Sequence, residues 1–228
     1  MKIGVLGTGT VGAAVATKLV EIGHEVRMGA REAGNEKARR WASGAGRGAS
    51  QGTFADAASF GDIVFNCTLG TASLDALRAA GAQNLKGKIL VDVSNPLDFS
   101  KGLPPVLSTP QGDSQGEAIQ RAFPQARVVK TLNTVNAGVM GHPDRVGGES
   151  DLFLCGNDAE AKSRVRELLT EMGWKGAIDL GDIKGARGME AYLLLWLTLW
   201  GGLGTADFNV RIVRAGSGLV SASRPALG

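Results

Sequence analysis

Short apolar runs alternate with amphipathic stretches along most of this chain. Lys2–Leu6, Ile63–Asn66 and residues 89–93, 127–132 and 151–155 are compact apolar runs of strand length. Between them the apolar positions switch to a helical period, as in Val11, Val15, Leu19 and Ile22, or Val165, Leu168, Leu169 and Met172. The pattern predicts helices over 10–22, 32–42, Ser73–Ala80, 115–123 and 159–172, a short second strand over 25–28 and an edge strand over 177–180. Residues 53–59 read as a short strand and a helical turn, preceded by a glycine- and serine-rich loop over 44–52. Segment 95–111 holds four of the seven prolines without a clear period and reads as a long functional loop. Residues 188–213 read as mostly helical, and 215–228, small and polar, as a flexible tail.

Strands alternating with helices imply an α/β fold, a Rossmann-like, doubly wound and mostly parallel sheet. The expected division is a dinucleotide-binding domain over 1–180, a small C-terminal helical segment over 181–214 that serves a dimer interface or the substrate site, and the tail. The most apolar stretch, 191–200, is shorter than the roughly 20 residues of a membrane helix, so a buried or subunit-interface helix is expected. The formal net charge of +3 gives no argument for nucleic acid or an anionic membrane. Cys67 and Cys155 form no CxxC pair and no metal-ligand spacing appears, so no metal is expected and a reducing, cytoplasmic setting is. The N-terminal apolar run is too short for a signal peptide.

The 34 glycines cluster in turns, and one cluster carries chemistry. Gly7-Thr8-Gly9-Thr10-Val11-Gly12 follows a strand and opens a helix, the context in which G-x-G-x-x-G binds a dinucleotide pyrophosphate. Gly7 allows the tight turn, Gly9 the approach of backbone to phosphate, and Gly12 close packing of helix on strand. At the end of the second strand an NAD site has an acid for the ribose hydroxyls. Here the segment is Gly29-Ala30-Arg31, with Arg31 22 positions after Gly9. A guanidinium there suits the 2′-phosphate of NADP(H), with Thr8, Asn35 and Lys37 to assist. Glu32, one position on, is the rival that favours NAD.

Ligands of open parallel sheets lie over the carboxyl ends of the strands. The segments there are Cys67-Thr68-Leu69-Gly70, Ser94-Asn95-Pro96-Leu97 and Asn133-Thr134-Val135-Asn136-Ala137. Asn95, Pro96, Asn133, Val135 and Ala137 are the candidates for placing a nicotinamide and its reaction partner. None of these segments holds a nucleophile–histidine pair or paired carboxylates. His24 reads as a surface turn residue, and His142 as a loop residue with a catalytic option. A site without acid or base suits direct hydride transfer, which needs two carbons held close and water excluded.

These segments, with Gly23-His24-Glu25-Val26 and the Cys155-Gly156-Asn157-Asp158 turn, resemble the F420-dependent NADP oxidoreductase family. They are also similar to the oxidoreductase domain of the STEAP metalloreductases. The resemblance covers nearly all of 1–213 and implies hydride transfer between NADP(H) and a flavin-like carrier, coenzyme F420 or FMN/FAD, within a homodimer joined by C-terminal helices. Some archaeal members carry a histidine where this chain has Asn133, which orients a ligand but does not titrate near neutral pH. Two alternatives stay open: an NADPH-dependent reductase of a small carbonyl, imine, flavin or ferric substrate, and a non-catalytic NADP-sensing module.

Overall fold

The computed structural model describes residues 1–214; the segment read as a tail, 215–228, lies outside the described residues. The chain order is β1 (Lys2–Leu6), α1 (Thr10–Glu21), β2 (Glu25–Ala30), α2 (Glu36–Gly44), β3 (Ala49–Thr53), α3 (Phe54–Phe60), β4 (Ile63–Asn66), α4 (Ser73–Ala80), α5 (Ala82–Leu85), β5 (Ile89–Asp92), β6 (Leu97–Asp98), β7 (Val106–Leu107), α6 (Gln115–Ala122), β8 (Arg127–Thr131), α7 (Ala137–Gly141), β9 (Leu152–Gly156), α8 (Ala159–Glu171), β10 (Ala177–Asp179) and α9 (Ala186–Leu203). Eight strands form one sheet in the order β10-β9-β8-β5-β4-β1-β2-β3. All neighbours pair in parallel except β8 with β9. The fold is therefore the expected Rossmann-like, mostly parallel α/β sheet.

Strands covered on both faces read as unbroken apolar runs, and β4 and β5 are buried along their whole length. Side chains alternate between two cores. Ile3, Val5, Phe65, Val91 and Val129 pack with Val15 and Leu19 of α1 and Val165 of α8. Val64, Leu90 and Val128 pack on the other face with Ala57, Leu77 and Ile119 of α3, α4 and α6 and with Met189 of α9. Register also aligns Asn66 with Asp92 and Asp92 with Lys130, and Lys130 lies opposite Cys155 on β9. A polar row thus crosses the carboxyl ends of the central strands within a buried layer.

Several elements depart from the pattern. The supposed loop 44–52 ends in β3, which pairs with β2 along its whole length, and α3 follows at once. Thr53 caps α3: its hydroxyl accepts from the Asp56 N–H (3.1 Å) and the Asp56 carboxylate from the Thr53 N–H (2.8 Å). Helix α2 starts at Glu36, not at Glu32, because Gly34 turns the chain through φ +71° and the Asn35 side chain caps the helix. The loop 95–111 contains the β6–β7 hairpin. Helix α9 stops at Leu203 and not near 213, where Gly204 takes the left-handed C-cap conformation. Residues 205–214 then run back as a non-helical strap. Phe208 stacks on Trp196 at 5.2 Å, Arg145 pairs with Asp207 at 2.6 Å, and the Asp151 N–H donates to the Val210 carbonyl.

His24 is not a surface residue. It is buried, and its Nε2 lies 3.1 Å from the Glu171 carboxylate. Burial, opposed by Glu171, holds the imidazole below its ordinary pKa. Among the described residues no helix is long and apolar enough to cross a membrane.

Candidate functional site

The β1–α1 turn gives each of its three glycines a separate task. Gly7 has φ +118°, and a Cβ on it would sit 2.6 Å from the Cys67 carbonyl oxygen. A Cβ on Gly12 would fall 2.1 Å from the Gly7 carbonyl oxygen, so α1 lies directly against the turn. A Cβ on Gly9 would meet nothing within 4 Å. Gly9 is the N-cap of α1 with no side-chain cap bond, and no acid sits in the first turn. The positive end of a 12-residue helix therefore faces open space beside a residue without a side chain.

Two recesses meet at this helix end and share Gly9, Cys67, Thr68 and Leu69. The first, about 450 Å³, is lined further by Thr10, Val11, Ser94, Asn95, Asn133, Val135 and Ala137. Eleven of the predicted site residues therefore line it. The second, about 510 Å³, takes in Gly7, Thr8 and Arg31, with Phe54 and Ala76 from α3 and α4. A third hollow, about 370 Å³, joins Thr8 to Lys37, Arg40 and Trp41. Thr8 is common to the second and third, so Arg31 and Lys37 flank it from two sides.

Four predicted residues have other places. Ala30 is buried in the core at the end of β2. Asn35 is occupied as a helix cap, its Oδ1 accepting from the Ala38 N–H at 3.1 Å. Pro96 is buried and does not line the cleft; its carbonyl accepts from the N–H and hydroxyl of Ser108. Gly12 serves packing alone. His142 is exposed just past α7 and outside the first recess.

Asn133 follows a strained residue. Leu132 is fully buried at φ +63°, a left-handed conformation that costs a leucine about 1–2 kcal/mol. The turn brings Asn133 against Asn95: each side-chain amide donates at 2.9 Å, one to the Asn95 Oδ1 and the other to the Asn133 carbonyl. Asn133 also donates to the Met189 carbonyl of α9 at 3.1 Å, which fixes the orientation of its amide. Among the described residues its buried Oδ1 then has no hydrogen-bond partner, and neither has the buried indole N–H of Trp196. Both residues line the first recess.

Behind this wall lies a charged cluster that the sequence pattern gave no reason to expect. Lys130 is fully buried and donates to Asp92 (2.7 Å), Glu190 (3.1 Å) and the Ser94 carbonyl (2.8 Å). Burial pulls its ammonium pKa down, and the two carboxylates more than offset this, holding it above the ordinary lysine value. Asp92 accepts from Asn66 and from the Ser94 hydroxyl (2.6 Å), and Gln115 reaches the same hydroxyl at 2.7 Å. Glu190 accepts the Gln115 and Gly116 N–H groups at the start of α6. The cluster so joins β5, β8, α6 and α9 and pins the Ser94–Asn95 wall.

Helix α9 supplies Leu193 and Trp196 to the first recess, and the hairpin segment supplies Leu97 and Phe99. Leu97 ends the strand-following segment expected at the site, and α9 belongs to the C-terminal segment expected there, whereas Phe99, Leu193 and Trp196 carry no signal of their own in the sequence. Cys67 lines both recesses, and burial followed by the Asp92 charge raises its thiol pKa. Burial pushes the Cys155 thiol up to about 12. Neither thiol is poised as a nucleophile. Among the described residues no three His, Cys, Asp or Glu side chains are grouped to hold a metal.

The family model described as NADP oxidoreductase, coenzyme F420-dependent, matches residues 2–96. An F420-dependent NADP reductase from Methanocaldococcus jannaschii is 31% identical over 210 residues, covering 87% of this chain and 92% of that protein. Metalloreductase STEAP3 from Rattus norvegicus is 33% identical over 202 residues; the match spans 87% of this chain but only 38% of that protein's length. A crystal structure from Arthrobacter sp. FB24, bearing the name of an F420-dependent NADP-reductase, superposes with a TM-score of 0.90 at 50% identity, over 94% of this chain and 100% of that one. A reductive aminase from Aspergillus terreus, at 22% identity and a TM-score of 0.65, shares the fold.

Proposed function

Because the chain belongs to the coenzyme F420-dependent NADP oxidoreductase family, we propose that it transfers a hydride between NADP(H) and a flavin-like carrier, with coenzyme F420 the first candidate and FMN or FAD the others. The observation that carries this reading is the continuity of the two recesses across the bare N-terminus of α1. An extended dinucleotide matches that shape, with its pyrophosphate at Gly9, its adenosine toward Arg31 and its nicotinamide toward Asn95 and Asn133.

The chain's residues then act as follows. The free N–H groups of the first turn of α1 bind the pyrophosphate, which Gly9 lets approach. Arg31 and Lys37, on either side of Thr8, select the 2′-phosphate. Asn133 and Asn95 orient the carboxamide end, held rigid by their mutual bonds and by the Met189 carbonyl. NADPH, when bound, supplies the hydride from C4 of its ring. Val135, Leu193 and Trp196 form an apolar wall that excludes water and receives the flat carrier. Among the described residues the lining of the first recess holds no His, Asp, Glu or Lys side chain, which accords with direct hydride transfer rather than reduction of a carbonyl.

We also propose the division into a cofactor domain over 1–180 and a helical segment over 181–214, and a homodimer in a reducing cytoplasm. The exposed Leu194, Leu195, Trp200 and Leu203 of α9 support such pairing. Mixing the protein with NADPH and oxidised F420 tests the activity: the deazaflavin absorbance is expected to fall with turnover. Absence of turnover with F420, FMN and FAD alike sinks the proposal.

A further inference from the structure

The buried cluster of Asp92, Lys130 and Glu190 has no catalytic contact in the mechanism above, yet it holds two acids against one base. Among the described residues every hydrogen-bond partner of the two carboxylates is a donor. Asn66, Ser94 and Lys130 point at Asp92, and Lys130, Gln115 and Gly116 at Glu190. Carboxylates that only accept are ionised, so the cluster carries a net charge of about −1. The three side chains are 0%, 0% and 1% exposed, so water does not screen that charge. A buried ion group with an unmatched charge is costly to keep, and hydrophobic residues of the same volume pack there at less cost. The cluster also lies one residue behind the first recess, because Ser94 both lines the recess and contacts Asp92, Lys130 and Gln115.

We propose that Asp92 and Glu190 are redox-tuning residues, whose unmatched negative charge favours NADP⁺ over NADPH in the first recess and so drives hydride out of the cofactor toward its acceptor. This rests on the reading that the nicotinamide lies over Ser94, Asn95 and Asn133. Loss of a hydride, one proton with two electrons, to a two-electron acceptor such as a deazaflavin or flavin takes the nicotinamide ring from neutral to +1. A fixed negative charge nearby stabilises that product and not the neutral ring. At the recess wall, burial and then the Asp92 charge raise the Cys67 thiol pKa. The cation of the cluster does not cancel it, since Lys130 is shared between two carboxylates.

The test is the ratio of dissociation constants for NADP⁺ and NADPH, read by calorimetry in the wild type, Glu190→Gln and Asp92→Asn. Each variant neutralises the cluster while altering different hydrogen bonds. At an effective dielectric of about 20, one charge within roughly 12 Å changes such an equilibrium about tenfold. Both variants are expected to raise the NADP⁺/NADPH ratio by about tenfold, an upward shift of about 30 mV in the bound two-electron couple. Adenosine 2′,5′-bisphosphate, which lacks the nicotinamide, is expected to bind all three proteins equally. An unchanged ratio in a folded variant that still binds this probe overturns the inference and leaves the binding reading intact. Failure of the wild type to bind the probe or either dinucleotide overturns that reading instead. Where neither variant folds, the wild type decides: a bound couple at or above the potential of free NADP overturns the tuning role.

Discussion

Gly9→Ala and Gly12→Ala are the same chemical change three residues apart, and the structure assigns them opposite outcomes. On Gly12 the new methyl carbon would sit 2.1 Å from the Gly7 carbonyl oxygen and 2.9 Å from its carbon. Ordinary carbon–oxygen contact begins near 3.4 Å, so α1 has to retreat from the turn by roughly 1 Å, and both partners are backbone that does not swing aside. Overpacking of this kind costs about 1–3 kcal/mol or more. For a chain of this length that lowers the melting temperature by roughly 2–12 °C. On Gly9 the same methyl meets nothing within 4 Å, and an N-cap change from glycine to alanine costs roughly 1 kcal/mol or less. The methyl does occupy the space through which a phosphate approaches the free N–H groups of α1. Thermal unfolding by circular dichroism, paired with calorimetric titration of NADPH, separates the two effects. Gly12→Ala is expected to lose stability, whereas Gly9→Ala stays near the wild-type melting temperature and weakens NADPH at least tenfold, about 1.4 kcal/mol. A Gly9→Ala protein with undiminished affinity for NADPH refutes the placement of the pyrophosphate.

Arg31→Ala is expected to weaken NADPH by about 1.5–3 kcal/mol, the size of a charged hydrogen bond, with NADH barely affected; equal losses in calorimetry count against a 2′-phosphate contact. Lys130→Met leaves Asp92 and Glu190 buried without their counter-ion and is expected to cost about 3–5 kcal/mol in urea unfolding; a near-neutral result means one carboxylate is protonated or hydrated. Acid sensitivity offers another check. The Arg187 guanidinium, aided by the Ser114 hydroxyl and opposed by burial, holds the Glu117 carboxyl below its ordinary pKa. The unfolded chain therefore binds this proton more readily, so Glu117 contributes stability above about pH 4.3 that is lost as the pH falls further. Glu117→Gln is expected to flatten the fall in melting temperature below that pH, and an unchanged acid profile removes the argument.

The alternation of apolar runs and helical periods was enough to read the parallel sheet, since central strands buried on both faces leave a continuous apolar signature. The glycine turn was equally legible, because its three positions answer to backbone sterics that any such turn shares. What escaped notice has physical reasons. Strand β3, Ala-Ser-Gln-Gly-Thr, is an edge held by backbone bonds and lacks an apolar face. Helix α7 has five residues, fewer than two turns, so no period exists to detect. Asn35 stands close to Arg31 in sequence, which suggests a phosphate ligand, but sequence does not reveal its capping bond to the Ala38 N–H. Leu193 and Trp196 reach the first recess, and Glu190 the cluster behind it, through a long-range return of α9 whose individual contacts local pattern does not encode.

The walls of the first recess come from unequal sources, and the β6–β7 hairpin adds Leu97 and Phe99. The turn, the strand ends and the asparagine pair are built into the sheet, whereas α9 contributes Leu193 and Trp196 from outside it. Replacing those two side chains remodels this wall without disturbing a single backbone group at the N-terminus of α1. On the proposed reading, a lineage with this architecture is free to diversify in its second substrate while the coenzyme stays the same.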